Sequence, residues 1–367
     1  VSLIPENLDE LRGKAREFAL REFTEEKIRK YEEEEKYPEE IRRKAFEAGF
    51  LDMSNPWGML VAMEEFCRVD PGLGISALSA AFGSEVIMLF GSDYLKKKYL
   101  EPVLKGEKIS GFAVTEPSAG SDVAGIRSRL ERRGKGYVLN GEKIFITNGT
   151  VANHFYVLAR SSPPPSPEKR HHGMTMVVVE SSWPGFEAEQ MKGKLGMRAT
   201  STAHLKFRDV EVPEENVIGE EGKGFYYVMT FFDISRIHVA TQALGIAQGA
   251  LDMFTEYIIN NGLNNRETYQ FALADMATRV HAARLLTYDA ADRLFKFAPD
   301  PVKTSMAKYF AGETAVYVTD LALKYTGMQG VTSKLEKFYR DAKIEEIWEG
   351  TNEVEKLVIS RMLLKKR

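Results

Sequence analysis

Glu349 is the residue of this chain best placed to do acid–base chemistry. It lies in the stretch Ile344-Glu345-Glu346-Ile347-Trp348-Glu349-Gly350-Thr351-Asn352-Glu353, which joins two helical patterns. Upstream, 338–348 reads as a short helix with Ala342, Ile344 and Ile347 on its apolar side. Downstream, Val354, Leu357, Val358 and Met362 recur at helical spacing, and Asn352 with Glu355 three residues on predicts a capping box. The helices therefore meet at a short break containing Glu349 and Gly350, where glycine lets the backbone bend or a ligand approach closely. A carboxylate on such a break, beside Trp348, is poorly solvated, which raises its pKa toward that of a useful base. Read alone, a solvated glutamate in a surface loop is the simpler reading of the stretch.

A second stretch could receive a ligand. In Phe112-Ala113-Val114-Thr115-Glu116-Pro117-Ser118-Ala119-Gly120-Ser121-Asp122 a strand runs into a turn rich in Pro, Gly and Ser. Backbone N–H groups and the Thr115 and Ser121 hydroxyls are free there to donate to a phosphate or a ring carbonyl. On composition alone a plain β-turn is the simpler reading.

These residues need a large scaffold, and 367 residues supply one, enough for two or three domains. Apolar residues make up 44% and charged ones 28%, as in an ordinary soluble globular protein with a charged surface. A net charge of −3 gives no global attraction to nucleic acid or anionic membranes. The lone cysteine, Cys67, excludes an intrachain disulfide and reads as core filler, and with six histidines no cysteine/histidine metal site is expected. No apolar run approaches the ~18 residues of a membrane span, and Val1-Ser2-Leu3-Ile4-Pro5 lacks the features of a signal peptide. The chain is expected to be soluble and cytoplasmic.

From residue 7 to about 104 the pattern is helical. Leu8, Leu11, Ala15, Phe18 and Ala19 share one face; Pro38 opens a second helix that stops at Gly49; 61–69 forms a third. The nearly uncharged run 75–90 predicts a buried helix or a pocket wall, and 93–104 closes the region with Lys96-Lys97-Lys98 on a solvated face. Near Ile109 the period changes. Tyr137-Val138-Leu139-Asn140-Gly141-Glu142-Lys143-Ile144-Phe145-Ile146 reads as two strands joined by an Asn-Gly turn. Strands continue at 155–159, 174–179 and 203–212, while the proline-rich 161–167 is an exposed loop. Long alanine-rich helices return at 226–255, 271–297 and 301–324, as in a bundle that also packs on another subunit. The expected architecture is α+β and multidomain: an N-terminal helical domain (1–108), a central β-barrel or sandwich domain (109–214) and a C-terminal four-helix bundle (215–367).

Four motifs now stand in order: Val114-Thr115-Glu116-Pro117-Ser118-Ala119-Gly120-Ser121-Asp122; Phe145-Ile146-Thr147-Asn148-Gly149; Phe232-Asp233-Ile234-Ser235-Arg236; and Arg340-Asp341-Ala342-Lys343 followed by Trp348-Glu349-Gly350-Thr351. Together they resemble the acyl-CoA dehydrogenase family over essentially the whole chain beyond Glu64. The resemblance implies FAD between the β domain and the C-terminal bundle, and a homotetramer built as a dimer of dimers. It implies that Phe112 to Ser121, including Val114 and Gly120, lie along the flavin, with Thr115 bonding to the ring and Ser121 also touching the pantetheine arm of CoA. Phe145 takes the place of a tryptophan packed on the ring face, beside Ile146. Thr147 is implied near flavin N5, and Thr351 and Glu353 contact the FAD beyond the base. Asp233 and Arg236 match positions that hold the CoA side of the substrate. The acyl end falls around Leu78, Ser79 and Phe82, which favours an uncharged chain, and Gly74 stands where the glutaryl branch keeps an arginine.

The implied reaction is α,β-dehydrogenation of an acyl-CoA thioester to a trans-2-enoyl-CoA. Glu349 takes the α proton, the β hydrogen leaves as hydride to the flavin, and the backbone N–H of the glutamate helps hold the thioester oxygen. Gly350 is expected among the residues that contact the substrate. Where some branches place the base next to the bundle arginine, this chain has Ser235, so Glu349 is the matching base. Three departures stand out. The family's Arg-x-x-Phe-Gly region reads Asn260-Asn261-Gly262-Leu263-Asn264-Asn265-Arg266, leaving Arg266 as a substitute for the arginine that reaches a neighbouring subunit's pyrophosphate. Its Gln-x-x-Gly-Gly-x-Gly reads Lys324-Tyr325-Thr326-Gly327-Met328-Gln329-Gly330, so Lys324 and Gly327 stand at cofactor positions. The N-terminal domain is trimmed near Asn55-Pro56-Trp57-Gly58. An electron-transfer flavoprotein is the expected acceptor. The alternatives are an oxygen-using relative on the same fold and a DNA-binding relative; Glu349 argues against a monooxygenase, and the net charge against nucleic acid.

Overall fold

The computed structural model describes residues 7–365, so the Val1-Ser2-Leu3-Ile4-Pro5 segment lies outside the described residues. Helices α1 (Leu8–Glu22), α2 (Glu25–Glu34), α3 (Glu39–Glu47), α4 (Pro56–Val69), α5 (Pro71–Leu78) and α6 (Ser84–Phe90) form the N-terminal region. It closes with α7 (Asp93–Leu95), a π turn at Lys96–Leu100 and α8 (Glu101–Leu104). Side-chain caps fix several starts: Thr24 on α2, Asn55 on α4 and Asp70 on α5 each accept a backbone N–H. The single helix expected over 75–90 is two. The chain turns at Gly83, with φ +87°, where a Cβ would come within 2.9 Å of Phe112 and Tyr156. Only glycine combines that left-handed backbone with the close approach.

The central domain is one folded sheet of eight strands: β1 (Ser110–Ala113), β2 (Arg129–Arg133), β3 (Gly136–Thr147), β4 (His154–Arg160), β5 (Met174–Glu180), β6 (Phe186–Gln190), β7 (Thr202–Pro213) and β8 (Val217–Ile218). The halves β6-β7-β3-β2 and β1-β4-β5-β8 meet through a single residue pair, Arg129 with Arg160, and the sheet does not close into a barrel. Alternation on β4 explains the layering. Phe155, Val157 and Ala159 enter the core between the halves, while Tyr156 and Leu158 face a second core under α6 and the long helix that follows the sheet.

The expected Asn-Gly hairpin is absent, because β3 runs straight through Asn140 and Gly141. Asn140 instead exchanges two 2.9 Å hydrogen bonds with Asp209 across a bulge. A Cβ on Gly141 would lie 2.3 Å from the Ser128 hydroxyl, so this glycine serves a close strand crossing. The true turn is one step earlier, at Gly134, where β2 pairs back onto β3.

The C-terminal region holds α9 (Gly224–Asn260), α10 (Glu267–Phe295), α11 (Pro301–Thr326), α12 (Met328–Val331), α13 (Lys334–Ala342), a 3-10 turn at Lys343–Glu346 and α14 (Asn352–Lys365). Helix α9 lies tight on α4: Gly245 and Gly249 come so near the Glu64 and Arg68 carbonyls that a Cβ would sit 2.4 Å from each. One continuous apolar core therefore joins the first and last regions, with the sheet held against their side.

Candidate active site

The segment that carries Glu349 is anchored at both ends. At its start, Arg340 on α13 reaches Glu32 of α2 at 2.6 Å and the Leu195 carbonyl of the β6–β7 loop at 2.8 Å. Buried Asp341 accepts from the Met197 backbone N–H and from Lys337 at 2.6 Å, and Lys337 also pairs with Asp70 at 3.0 Å. All three regions thus meet on the Arg340-Asp341 pair, whose role the sequence left open. The expected 338–348 helix begins earlier, at Lys334, and tightens into the 3-10 turn. Ala342 is buried as expected, but Ile347 is half exposed, because the tighter winding rotates it off the apolar side.

After the turn the backbone takes two left-handed residues in succession, Glu349 at φ +52° and Gly350 at φ +104°. For glutamate that conformation costs roughly 1–2 kcal/mol, and the surroundings hold it in place. Arg236 Nε donates to the Glu349 carbonyl at 3.3 Å, and Lys308 Nζ donates to the Gly350 carbonyl. Arg236 is itself paired with buried Glu355 at 3.0 Å. Gly350 leaves no room for a side chain: a Cβ would lie 2.2 Å from Glu355 Oε1. The predicted capping box does not form. Thr351 caps α14 by accepting the Val354 N–H at 3.3 Å, since Glu355 is drawn inward to Arg236.

The Glu349 side chain turns toward α9, where the Ser235 hydroxyl donates to Oε2 at 2.7 Å. Burial raises the pKa of this carboxyl, and Glu355 adds to the rise. The Ser235 hydrogen bond and the charges of Arg236 and Lys308 pull it partly back. Beneath lie two more perturbed groups. Burial pushes Glu345 up to about 8 while Trp348 Nε1 donates to it at 3.0 Å, and burial brings Lys308 down to about 8. Gly312, one turn past Lys308 on α11, lets the 3-10 turn rest on the helix; a Cβ there would be 2.8 Å from the Glu345 carbonyl.

In the central domain, the 112–122 run is fixed by a buried ion pair, Lys143 with Glu116 at 2.8 Å. Lys143 also donates to the Val114 carbonyl at 2.9 Å, and Glu116 accepts the Arg127 and Ser128 N–H groups at 2.6 and 3.0 Å. Burial acts to raise the Glu116 pKa, but Lys143 and those N–H groups outweigh it and the value falls below the usual carboxylate range. Phe112, Val114 and Ile146 are buried, Thr115 and Thr147 half-buried, and Gly120 and Ser121 exposed. Phe145, at φ +60° in a break of the β3–β7 register, shows 62% of its surface. The Ser79 hydroxyl is buried without a partner, and Asn148 donates to the Ser79 and Ser110 carbonyls at 2.7 and 2.9 Å.

These residues fit a flavin. An aromatic face stands open, hydroxyls line the approach, and a Cβ at Gly120 would meet nothing within 4 Å, so a cofactor or its arm can come close. Not every expected residue gathers there. Arg266, Lys324 and Gly327 are exposed at the end of the bundle marked by the Tyr269–Tyr325 ring contact, 5.5 Å apart. Lys324 is about 24 Å along α11 from Lys308 at 1.5 Å per residue, so these three do not belong to the same protomer's Glu349 cleft. Asp233 is half-buried, with its pKa raised by burial and drawn down by Arg236. Arg236 turns inward to the Glu349 segment. Glu353 is exposed and Thr351 and Gly350 half-buried. Ser235 and Lys308 were missed as partners of the base. A serine and a lysine inside long helical patterns carry no local signal, and only the crossing of α9, α11 and the 349–350 turn assigns them.

Among the described residues, no group of three or more His, Cys, Asp or Glu side chains could hold a metal ion, and no helix is long and apolar enough to cross a membrane. Comparison with known proteins gives concordant matches along the chain. Residues 5–107, 111–210 and 222–364 match the models of the N-terminal, middle and C-terminal domains of acyl-CoA dehydrogenase. The chain is 37% identical to an acyl-CoA dehydrogenase of Bacillus subtilis, over 83% of this chain and 82% of that one. It is 34% identical to the caffeyl-CoA reductase-Etf complex subunit CarC of Acetobacterium woodii, over 97% and 98%. Its fold superposes on butyryl-CoA dehydrogenase from Megasphaera elsdenii with a TM-score of 0.89 at 34% identity, covering 98% and 99% of the two chains.

Proposed function

Because this chain belongs to the acyl-CoA dehydrogenase family and is an FAD-dependent oxidoreductase acting on acyl-CoA thioesters, we propose that Glu349 is the base that removes the α proton of its substrate. The hydrogen bond from Ser235 to Glu349, made on a turn held at both carbonyls, carries this reading. It fixes one carboxylate oxygen and leaves the other to reach into the cleft. A base with a pKa raised by burial binds the α proton more strongly than a solvated glutamate does, which narrows the gap to a very weak carbon acid. The left-handed Glu349 turn presents its backbone N–H as a donor to the thioester oxygen, where negative charge grows as the proton leaves.

FAD would be held along Phe112, Val114, Thr115 and Gly120 and against Phe145, Ile146 and Thr147, with Thr351 and Glu353 beyond the base; bound there, it supplies the acceptor for the β hydrogen. Ser121 and Asp233 stand on the CoA side of the cleft. Arg236 acts by holding the Glu349 turn. Leu78, Ser79 and Phe82 close the acyl end. Arg266, Lys324 and Gly327, exposed at the far end of the bundle, serve the cofactor of a neighbouring subunit in a homotetramer. The Acetobacterium woodii relative is by name a subunit of an Etf complex, which supports an electron-transfer flavoprotein as the partner that drains the reduced enzyme.

The test is anaerobic titration of the purified flavoprotein with acyl-CoAs of graded length, following the flavin absorbance. The wild type is expected to bleach. Glu349→Gln is expected to keep yellow flavin and bind acyl-CoA without bleaching; normal bleaching in that variant refutes the assignment. Peroxide formed from the reduced enzyme in air would reassign the chain to the oxidase alternative.

A further inference from the structure

Glu85 is a half-buried residue, with one carboxyl oxygen fully buried, that the reaction above does not use. It lies in the first turn of α6, two residues after the Gly83 bend, and α6 is seated on α9 through Phe90, whose ring stacks on Tyr227 at 4.1 Å. Just before the bend, the Phe82 ring stands 5.5 Å from Phe231 and 6.3 Å from Phe112. Phe112 is on the flavin side of the cleft. Phe231 is one helical turn before Ser235, so both present the same face of α9. Phe82 therefore stands between the ring of Phe112 and the face of α9 that carries Ser235, the partner of Glu349. In agreement, Glu349 is the charged neighbour that Glu85 feels, and Tyr156 feels Glu85 from the other side. Burial, with the Glu349 charge adding to it, holds Glu85 up at about 7.

Two polar atoms on this wall are without partners. Glu85 Oε2 is shut off from solvent and has no hydrogen bond, and the same is true of the Ser79 hydroxyl, three residues before Phe82. Buried polar atoms in native proteins are nearly always paired, and an alkyl chain offers them nothing. We infer that Glu85, with Ser79, lines the acyl end of the thioester cleft and selects short acyl groups that carry a neutral hydrogen-bonding group, such as a hydroxyl, at their far end. This rests on the function proposed above, and it replaces an acyl end that is apolar throughout with one that is polar at two points. A terminal carboxylate is excluded, since it would face Glu85 with like charge.

The experiment measures kcat/KM for ω-hydroxyacyl-CoAs of four to six carbons against the matching alkyl-CoAs, with an artificial electron acceptor. In the wild type the hydroxylated partner is expected to be preferred by about tenfold or more, as when a site built for a hydroxyl meets a substrate lacking it. Glu85→Leu is expected to reverse that ratio, and Glu85→Gln, which keeps a hydrogen-bonding group, to retain most of it. A wild-type ratio at or below one overturns the inference whatever the variants do. So does a high ratio that persists in a soluble, yellow Glu85→Leu, or in Glu85→Met should the leucine variant not accumulate. In each of those outcomes alkyl-CoAs still bleach the flavin, so the role of Glu349 stands; if no thioester bleaches it, the proposed function itself has failed.

Discussion

The Ser235 hydrogen bond allows a direct test of how the base is tuned. Ser235→Ala removes one donor from the Glu349 carboxylate, at 2.7 Å in the folded protein, and leaves the apolar packing of α9 intact. A hydroxyl bonded to an ionised group contributes about 1.5–3 kcal/mol, and about 1.4 kcal/mol is a factor of ten. The bond favours the charged form, so its loss raises the pKa of Glu349 further, in the same direction as burial. The sign of the rate effect follows. The ionised base becomes scarcer at low pH, and the acid limb of the rate profile moves to higher pH. Rapid-mixing measurements of flavin bleaching should show a fall of about tenfold or more on the acid limb, with the alkaline plateau largely kept. An acid limb that stays where the wild type has it, or moves down, would mean that Ser235 does not tune the base, and the electrostatic argument would fail there.

Other outcomes follow from the same packing. Gly350→Ala places a Cβ 2.2 Å from the Glu355 carboxyl at φ +104°; flavin content should survive while turnover falls about a hundredfold, as expected when a base is displaced by about 1 Å, and near-normal turnover would contradict the rigid-turn reading. Lys308→Met leaves the carbonyl of half-buried Gly350 without its donor, while Glu355 keeps Arg236; a loss of about 1–3 kcal/mol in chemical denaturation is expected, together with a shifted rate profile. Glu345 is neutral in the fold up to about 8 but near 4.5 when unfolded, so its contribution to stability is full below the lower value and is lost as pH rises through the upper one. Glu345→Gln should therefore lose less stability than the wild type across that window, as read by denaturation midpoints at a series of pH values.

How much of this was legible beforehand depended on how local each cause is. The strands over 155–159 and 174–179 and the α, β, α order came from periodicity, which acts over a few residues, whereas the helix starts capped by Asn55 and Asp70 were not read, the third helix being expected only from 61. Helical spacing on either side placed Glu349 in a break between two helices, and the left-handed Glu349–Gly350 pair is what a glycine in that break permits. Asn140-Gly141 misled because its dipeptide preference was overruled by a partner strand: Asp209 and Ser128, distant in sequence, decide that it is a bulge. The 75–90 run misled for the same kind of reason, since its break at Gly83 is set by Phe112 and Tyr156.

The sequence by itself pointed to the family, to the helix–sheet–helix order and to a glutamate as the proposed base, because residue identity and short-range spacing carry those signals. The tertiary structure alone decided which side chains set that base's strength. Ser235, Arg236 and Lys308 come from two helices that cross behind the turn, and Glu85, inferred to line the acyl end, comes from a third. The shifted pKa values of Lys308 and Glu85 are properties of burial, and burial is settled only when distant segments pack.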